Sequence, residues 1–297
     1  MTHQITSTSV STPEKKKILK FASAASVATA GVLIVSKIIA WFMTGSLSLF
    51  ATVIDSGMDL AASFITLVAI RIALTPADDG HPFGHGKAEH LAVLAQSAFI
   101  GGSAIALVLH ATSNLYDNKT VSHENIGIIV MSFSIIATLI LLSIQYYAIK
   151  KTNSSAIKAD ALHYRTDLLV NASVIVALLA SHYGYHRIDT IFALVISIYM
   201  LLSVRSMAWN AVQNLMDQSL PADKIKDIEK TALSVEGVGS IHEIRTRVSG
   251  STTFIQLHLD INGLIPLCKA HDIGFSAKQK LLKLIPDADI IVHLDPK

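Results

Sequence analysis

Residues 47–74 read LSLFATVIDSGMDLAASFITLVAIRIAL, an apolar run interrupted by two aspartates, Asp55 and Asp59. The run is longer than the roughly 20 residues of helix that cross a bilayer. A charge inside such a span costs on the order of 2.5–3.5 kcal/mol on insertion scales, so each aspartate needs a reason to be there. The pair is four residues apart and therefore sits one turn apart on one helical face.

A second stretch poses the same problem. DALHYRTD, residues 160–167, lies within an apolar run at 155–182, and its His163 and Asp167 are again four apart. Two such helices facing each other present three carboxylates and one imidazole to a shared point. That is a tetrahedral-capable set of hard and borderline donors, suited to Zn2+ and open to Fe2+, Mn2+ or Cd2+. Four unrelated polar residues, each bonded to a neighbouring helix, would not account for the matched spacing. Asp160 precedes His163 by three and reads as a fifth ligand, part of an entrance or, preferably, a solvated carboxylate near the cytoplasmic end. Lys37 in the first span either neutralises the site carboxylates or reaches the interface.

Working outward, 51% of the 297 residues are hydrophobic and 15% are charged, against about a quarter charged in an ordinary soluble domain. Six runs are long and apolar enough to span, at about 21–43, 47–74, 88–115, 124–149, 155–182 and 188–208. Short links such as Gly45-Ser46 and Tyr183-Gly184-Tyr185 separate them. The first run is too long for a signal h-region and is read as a retained span. Lys15, Lys16, Lys17, Lys20, Arg71, Lys87, Lys150, Lys151, Lys158 and Arg205 fall on one side, and only Lys119 and Arg187 on the other. The positive-inside rule then makes both termini cytoplasmic.

From residue 209 the pattern turns soluble. Ile225, Ile228, Ala232 and Val235 repeat at helical spacing after Asp223, and two strand-like runs, 241–248 and 252–261, flank Ser249-Gly250-Ser251. A second amphipathic helix covers 267–284, and 289–294 reads as a last strand. The expected architecture is an α-helical membrane bundle of six transmembrane helices followed by a small α+β domain of ferredoxin-like type, in the order αββαβ. Its parts are a cytoplasmic tail at 1–20, a six-helix transmembrane domain at 21–208 and a cytoplasmic metal-binding domain at 209–297.

Several functions are excluded or disfavoured. A net charge of +2 offers no polybasic surface for nucleic acid, and the lone Cys268 rules out an intramolecular disulfide or a multi-thiolate metal site. Neither HExxH nor a serine-nucleophile motif is present, which argues against an intramembrane hydrolase. A membrane-anchored metal sensor without transport remains the alternative, although a passive anchor has no use for three intramembrane carboxylates. Carboxylates packed together repel, so a metal-free site holds protons that a divalent cation displaces; that competition is what metal/proton exchange requires.

The stretch PADDGHPFGHGKAEHLAVLAQS, from Pro76 to Ser97, is the most specific in the chain, with LHYRTDLLVNA, IHEIRTRVSGSTTFIQLHL and IIVHLDP beside it. Together they resemble the cation diffusion facilitator family, in its bacterial ferrous-iron/zinc efflux branch, over nearly the whole chain. The resemblance implies a homodimeric metal/proton antiporter in the bacterial inner membrane. It implies a transport site at Asp55, Asp59, His163 and Asp167, matching the set read from spacing, and a loop site at Asp78, His81 and His85. It further implies a binuclear cytoplasmic site at His242, His258, His271, His293 and Asp295, acting as a dimer-stabilising metal sensor, and a salt bridge between Lys87 and Asp217. The strand pattern agrees in part: His258 shares a polar face with Gln256 and Asp260, and His293 and Asp295 are two apart on a strand.

Overall fold

The computed structural model describes residues 13–44, 47–114, 125–182 and 188–297. The links Gly45-Ser46 and Tyr183-Gly184-Tyr185, together with Lys119 and Arg187, lie outside the described residues. Six long helices come first: α1 (Pro13–Thr44), α2 (Leu47–Ala73), α3 (Ala88–Asn114), α4 (Asn125–Thr152), α5 (Ser155–His182) and α6 (Ile188–Leu215). α1 begins eight residues earlier than the apolar run at 21–43. Proline is well suited to a first helical position, and the Glu, Lys, Ile and Leu that follow carry the helix through the polar lysine segment. α6 likewise continues past 208 to Leu215, because nothing in RSMAWNAVQNL breaks a helix.

Among the described residues, five helices carry segments long and apolar enough to cross a membrane: Pro13–Met43, Thr52–Ala73, Ala88–Leu109, Ile129–Thr152 and Thr190–Leu215. α5 is not one of them. Lys158, Asp160, Arg165 and Asp167 crowd its first half, more charge than a lipid-facing span carries. It packs instead against α2, α3 and α4. Small side chains make the close approach possible. Ala22 of α1, Ala69 of α2, Ala92 of α3, Ala148 of α4 and Ala156 of α5 meet in one buried cluster with Leu19, Ile70 and Ile157. Further along, Ile100 and Ala104 of α3 pack with Ile196 and Met200 of α6, and Leu162 and Val170 of α5 lean on them. Large apolar side chains such as Phe21, Val32, Ile136, Ile140, Val195 and Leu202 face outward, the arrangement lipid rewards.

The chain divides into two compact units. One is the helical bundle, Lys15–Leu74 with Ala88–Val212. The other joins the loop Thr75–Lys87 to Gln213–Lys297. In this second unit α7 (Ala222–Leu233), β1 (Val238–Ser249), β2 (Thr252–Ile261), α8 (Leu267–Leu284) and β3 (Ala288–Pro296) follow one another. The αββαβ order is the one expected. The sheet has three strands in the order β1-β2-β3, with β1 antiparallel and β3 parallel to β2. It therefore lacks the fourth strand of a full βαββαβ ferredoxin arrangement, because α6 leads directly into α7 with no strand before it. Ile255, Leu257 and Leu259 alternate along β2 and meet Ile228 and Ala232 of α7 and Ala277 and Leu281 of α8. Both helices thus cover one face, and the opposite face of β2 carries Gln256 and His258.

The loop is held against the β1–β2 hairpin within the same unit. Phe83 meets Phe254 edge to face with ring centroids 5.6 Å apart, and the Arg247 guanidinium lies 4.5 Å and 4.7 Å from the two ring centres. Gly86 comes so close to the hairpin that a Cβ there would fall 2.5 Å from the carbonyl carbon and oxygen of Ser249. Those are backbone atoms, so Gly86→Ala must push the loop off the hairpin. We expect a loss of about 1–3 kcal/mol, read as a lower thermal unfolding midpoint of the purified protein.

Candidate metal centre

Among the described residues three groups of metal-ligating side chains converge, one in the bundle and two in the second unit. In the bundle, α2 supplies Asp59 and α5 supplies His163 and Asp167, their ligand atoms lying within 4.8 Å of one another. His163 is the buried member, 7% exposed. Its Nε2 stands 2.9 Å from Asp59 Oδ1 and 3.6 Å from Asp167 Oδ2. One imidazole between two carboxylates is a donor set that a divalent transition metal accepts. Asp55 is not drawn into this group. It sits one turn from Asp59 with its side chain exposed, so three of the four residues anticipated from spacing come together. The rise of a helical turn, about 5.4 Å, separates the two carboxylates unless a side chain swings to close it.

One further residue of the bundle stands elsewhere than anticipated. Asp160 is not solvated: it is fully buried and takes hydrogen bonds from the side-chain amides of Gln145 and Gln96. Lys37 donates from Nζ to Ser56 Oγ at 2.5 Å, one residue from Asp55, where its charge opposes that of the site carboxylates. Sequence reasoning also passed over Glu89. This buried residue of α3 accepts from Ser154 Oγ at 2.7 Å and from the backbone N–H of Ser155 at 3.1 Å, so it caps the start of α5 from a neighbouring helix. The available hint was the acidic residue inside FGHGKAE, where lysine and histidine drew the attention instead.

In the loop, Asp78 bridges two histidines. Its Oδ1 lies 3.3 Å from His81 Nδ1 and its Oδ2 lies 3.3 Å from His85 Nε2, with the two rings 4.5 Å apart. The His81 backbone N–H donates to Asp78 Oδ1 at 2.7 Å and holds that carboxyl below the ordinary carboxylate range. The group is exposed except at His85, which is half-buried.

In the small domain the strand register does the gathering. His242, His258 and His293 are paired across β1, β2 and β3 in a single row. Neighbouring rings are 5.1 Å and 4.5 Å apart. Asp295 stands among them, with its Oδ2 at 2.8 Å from His258 Nδ1 and 3.5 Å from His242 Nε2, and its Oδ1 at 3.2 Å from His293 Nε2. His271 does not join the row. It is exposed on α8, which packs on the opposite face of the sheet. Asp260 lies 3.6 Å from His242 Nδ1, and hydrogen bonds from Lys297 and then Ser240 keep its carboxyl low.

Lys87 Nζ lies 3.0 Å from Asp217 Oδ1 and 3.1 Å from the carbonyl of Leu215, and Arg247 Nη1 is 3.5 Å from the same Asp217 oxygen. Partial burial pushes Asp217 up, but the Lys87 hydrogen bond and charge, with Arg247 behind them, bring it below its ordinary value. A depressed carboxylate stabilises the fold above its unfolded-state pKa and loses that contribution as pH falls through its folded value. Asp217→Asn should therefore lower the thermal midpoint at pH 7, by no more than about 1 kcal/mol for so exposed a pair. The gap to wild type should narrow as pH falls through the depressed folded-state value of Asp217 and close below it.

Residues 23–216 match the cation efflux transmembrane domain, and residues 220–297 match the cytoplasmic domain of cation efflux proteins. The cation-efflux pump FieF of Serratia proteamaculans (strain 568) is 44% identical over 284 residues, covering 96% of this chain and 95% of its own. FieF of Pectobacterium atrosepticum (strain SCRI 1043) is also 44% identical, with 96% and 95% coverage. FieF of Escherichia coli (strain SMS-3-5) is 42% identical, covering 94% of this chain and 93% of its own. These relatives are pumps and not enzymes. With apolar helices for a bilayer and full-length likeness to them, the chain belongs to the cation diffusion facilitator family, as a multi-pass membrane transporter that moves metal cations outward.

Proposed function

We propose that this protein exports a divalent transition-metal cation, Zn2+ before Fe2+, Cd2+ or Mn2+, in exchange for protons. The cation is held between α2 and α5 by Asp55, Asp59, His163 and Asp167 and passes from the cytoplasm across the bacterial inner membrane. The observation that carries this reading is the convergence of Asp59 and Asp167 on one buried imidazole nitrogen, His163 Nε2, at 2.9 Å and 3.6 Å. An imidazole lone pair and two carboxylates bind either protons or a metal, so loading one expels the other. If the site opens to each side in turn, an inward proton gradient then drives metal outward. Asp55 completes the tetrahedron by swinging across one turn of α2.

In this reading α5 is the sixth span, shielded from lipid by its neighbours, and both termini are cytoplasmic. The chain works as a homodimer. Asp78, His81 and His85 form a weaker regulatory site. His242, His258, His293 and Asp295 form the core of a cytoplasmic sensor site, to which His271 contributes only after a rearrangement or from a second copy.

The test is metal flux into proteoliposomes loaded with a pH-sensitive dye, for wild type and Asp59→Ala. Zinc movement coupled to opposite proton movement is expected in wild type, with loss of at least about 100-fold in the variant, as for a ligand removed from a metal site. A wild type that binds zinc but moves neither zinc nor protons would instead make the protein a membrane-anchored sensor.

A further inference from the structure

Asp160 is a fully buried carboxylate of the bundle that stands outside the ligand group, and it sits at the centre of a network drawn from five helices. Gln145 of α4 donates from Nε2 to Asp160 Oδ2 at 2.7 Å and to Ser26 Oγ of α1 at 3.0 Å. Gln96 of α3 donates from Nε2 to Asp160 Oδ1 at 3.1 Å and to Thr66 Oγ1 of α2 at 2.5 Å. Ser63 of α2 lies 3.4 Å from Asp160 Oδ1 and 2.8 Å from the Tyr164 hydroxyl, which donates to the Ser26 carbonyl at 3.2 Å. Every one of these side chains is buried. The hydroxyls of Ser26 and Thr66 pass their own protons to the carbonyls of Ala22 and Ala62. Both hydrogens of each amide are thus spoken for. What remains over are two buried acceptors, Oε1 of Gln96 and Oε1 of Gln145, which have no partner.

The location of the network matters as much as its closure. Asp160 precedes His163 by three residues, and Ser63 follows Asp59 by four, so the contact between α2 and α5 is made twice, about one turn apart. One contact is Asp59 to His163; the other is Ser63 to Asp160 and Tyr164. A rotation of α5 by a single residue, about 100°, would break both together. The bonds that Asp160 takes from Gln145, Gln96 and Ser63 come from neutral groups, two amides and a hydroxyl.

We propose that Asp160 is a positioning residue for transport. Through Gln96 and Gln145 it fixes the rotation of α5 so that His163 meets Asp59, and it does so by hydrogen-bond geometry and not by carrying a proton or a cation. This rests on the transport site proposed above. The two partnerless Oε1 atoms separate geometry from charge. In Asp160→Asn one carboxylate oxygen becomes an N–H donor, and turning over one glutamine amide presents an Oε1 to receive it. The link between helices at this position then closes again without any charge, although the turned amide's N–H groups now point where its Oε1 had no partner. In Asp160→Ala it cannot close.

The experiment is zinc flux by wild type, Asp160→Asn, Asp160→Ala, Gln145→Leu and Asp59→Ala in proteoliposomes, with KM and kcat measured separately. Folding is checked by size exclusion and thermal midpoint. We expect KM to rise about tenfold or more in Asp160→Ala and Gln145→Leu, the loss typical when a residue orienting a metal ligand is removed. Asp160→Asn should keep the wild-type KM and pH profile. Gln145→Leu carries the test if Asp160→Ala does not fold. Asp160→Asn as deficient as Asp160→Ala would overturn the proposal in favour of a charge-carrying role. Wild-type KM in both Asp160→Ala and Gln145→Leu would remove any positioning role. Full transport by Asp59→Ala would refute the transport site itself, an outcome that the other variants cannot mimic.

Discussion

Lipid offers no water to a charge, so every ionisable side chain that enters the bundle has to be answered by another side chain. Between α2 and α5 the answer is mutual. His163 places one ring nitrogen between the carboxylates of Asp59 and Asp167, and none of the three would be tolerable alone at that depth. Much else in the bundle follows from bringing those two helices together. α5 carries too much charge to face lipid, and α2, α3 and α4 pack around it. Its N-terminus is capped by Glu89 of α3, so even the backbone groups that open the helix are satisfied by a neighbour.

Close packing has a compositional basis. Alanine loses no side-chain freedom on burial and lets backbones approach, and the buried cluster shared by five helices has an alanine on each of them. Hydroxyl residues fill the remaining polar positions without disturbing the helices. Ser23, Ser97 and Thr166 each bond back to the carbonyl four residues earlier, so their polarity is settled within their own helix, and Ser26 and Thr66 do the same with their protons while accepting from other helices. Gln96 and Gln145 differ, because their amides reach across helices, and that places Asp160 at the centre of a network and not at a solvated end.

The second unit obeys another logic. Here water is available, and position comes from strand register. Pairing of β2 with β1 and β3 sets three histidines in one row, and the alternation of side chains sends all three away from the face that α7 and α8 cover. The loop from Thr75 to Lys87 is held to the same unit by the Phe83, Arg247 and Phe254 stack, and by a backbone approach at Gly86 that leaves no room for a Cβ.

What the sequence by itself determined is whatever depends on local periodicity and chemistry. Apolar runs specified the long helices, four-residue spacing put Asp55 and Asp59 on one helical face and Asp167 beside His163, and period-two alternation specified β2 from Thr252 to Ile261. Helix ends were less legible, since α1 and α6 continue through polar residues that are good helix formers. Tertiary structure decided what depends on neighbours distant in the chain. Asp160 could be read as solvated because no local pattern reveals Gln96 and Gln145, which approach from α3 and α4. His271 could be grouped with the other histidines because sequence does not say that α8 lies across the sheet from them. Asp55 stands apart from Asp59, although they share a helical face, because a shared face does not bring side chains a turn apart to one point. Spacing along one element constrains direction; only packing between elements sets distance, and a metal site is made of distances.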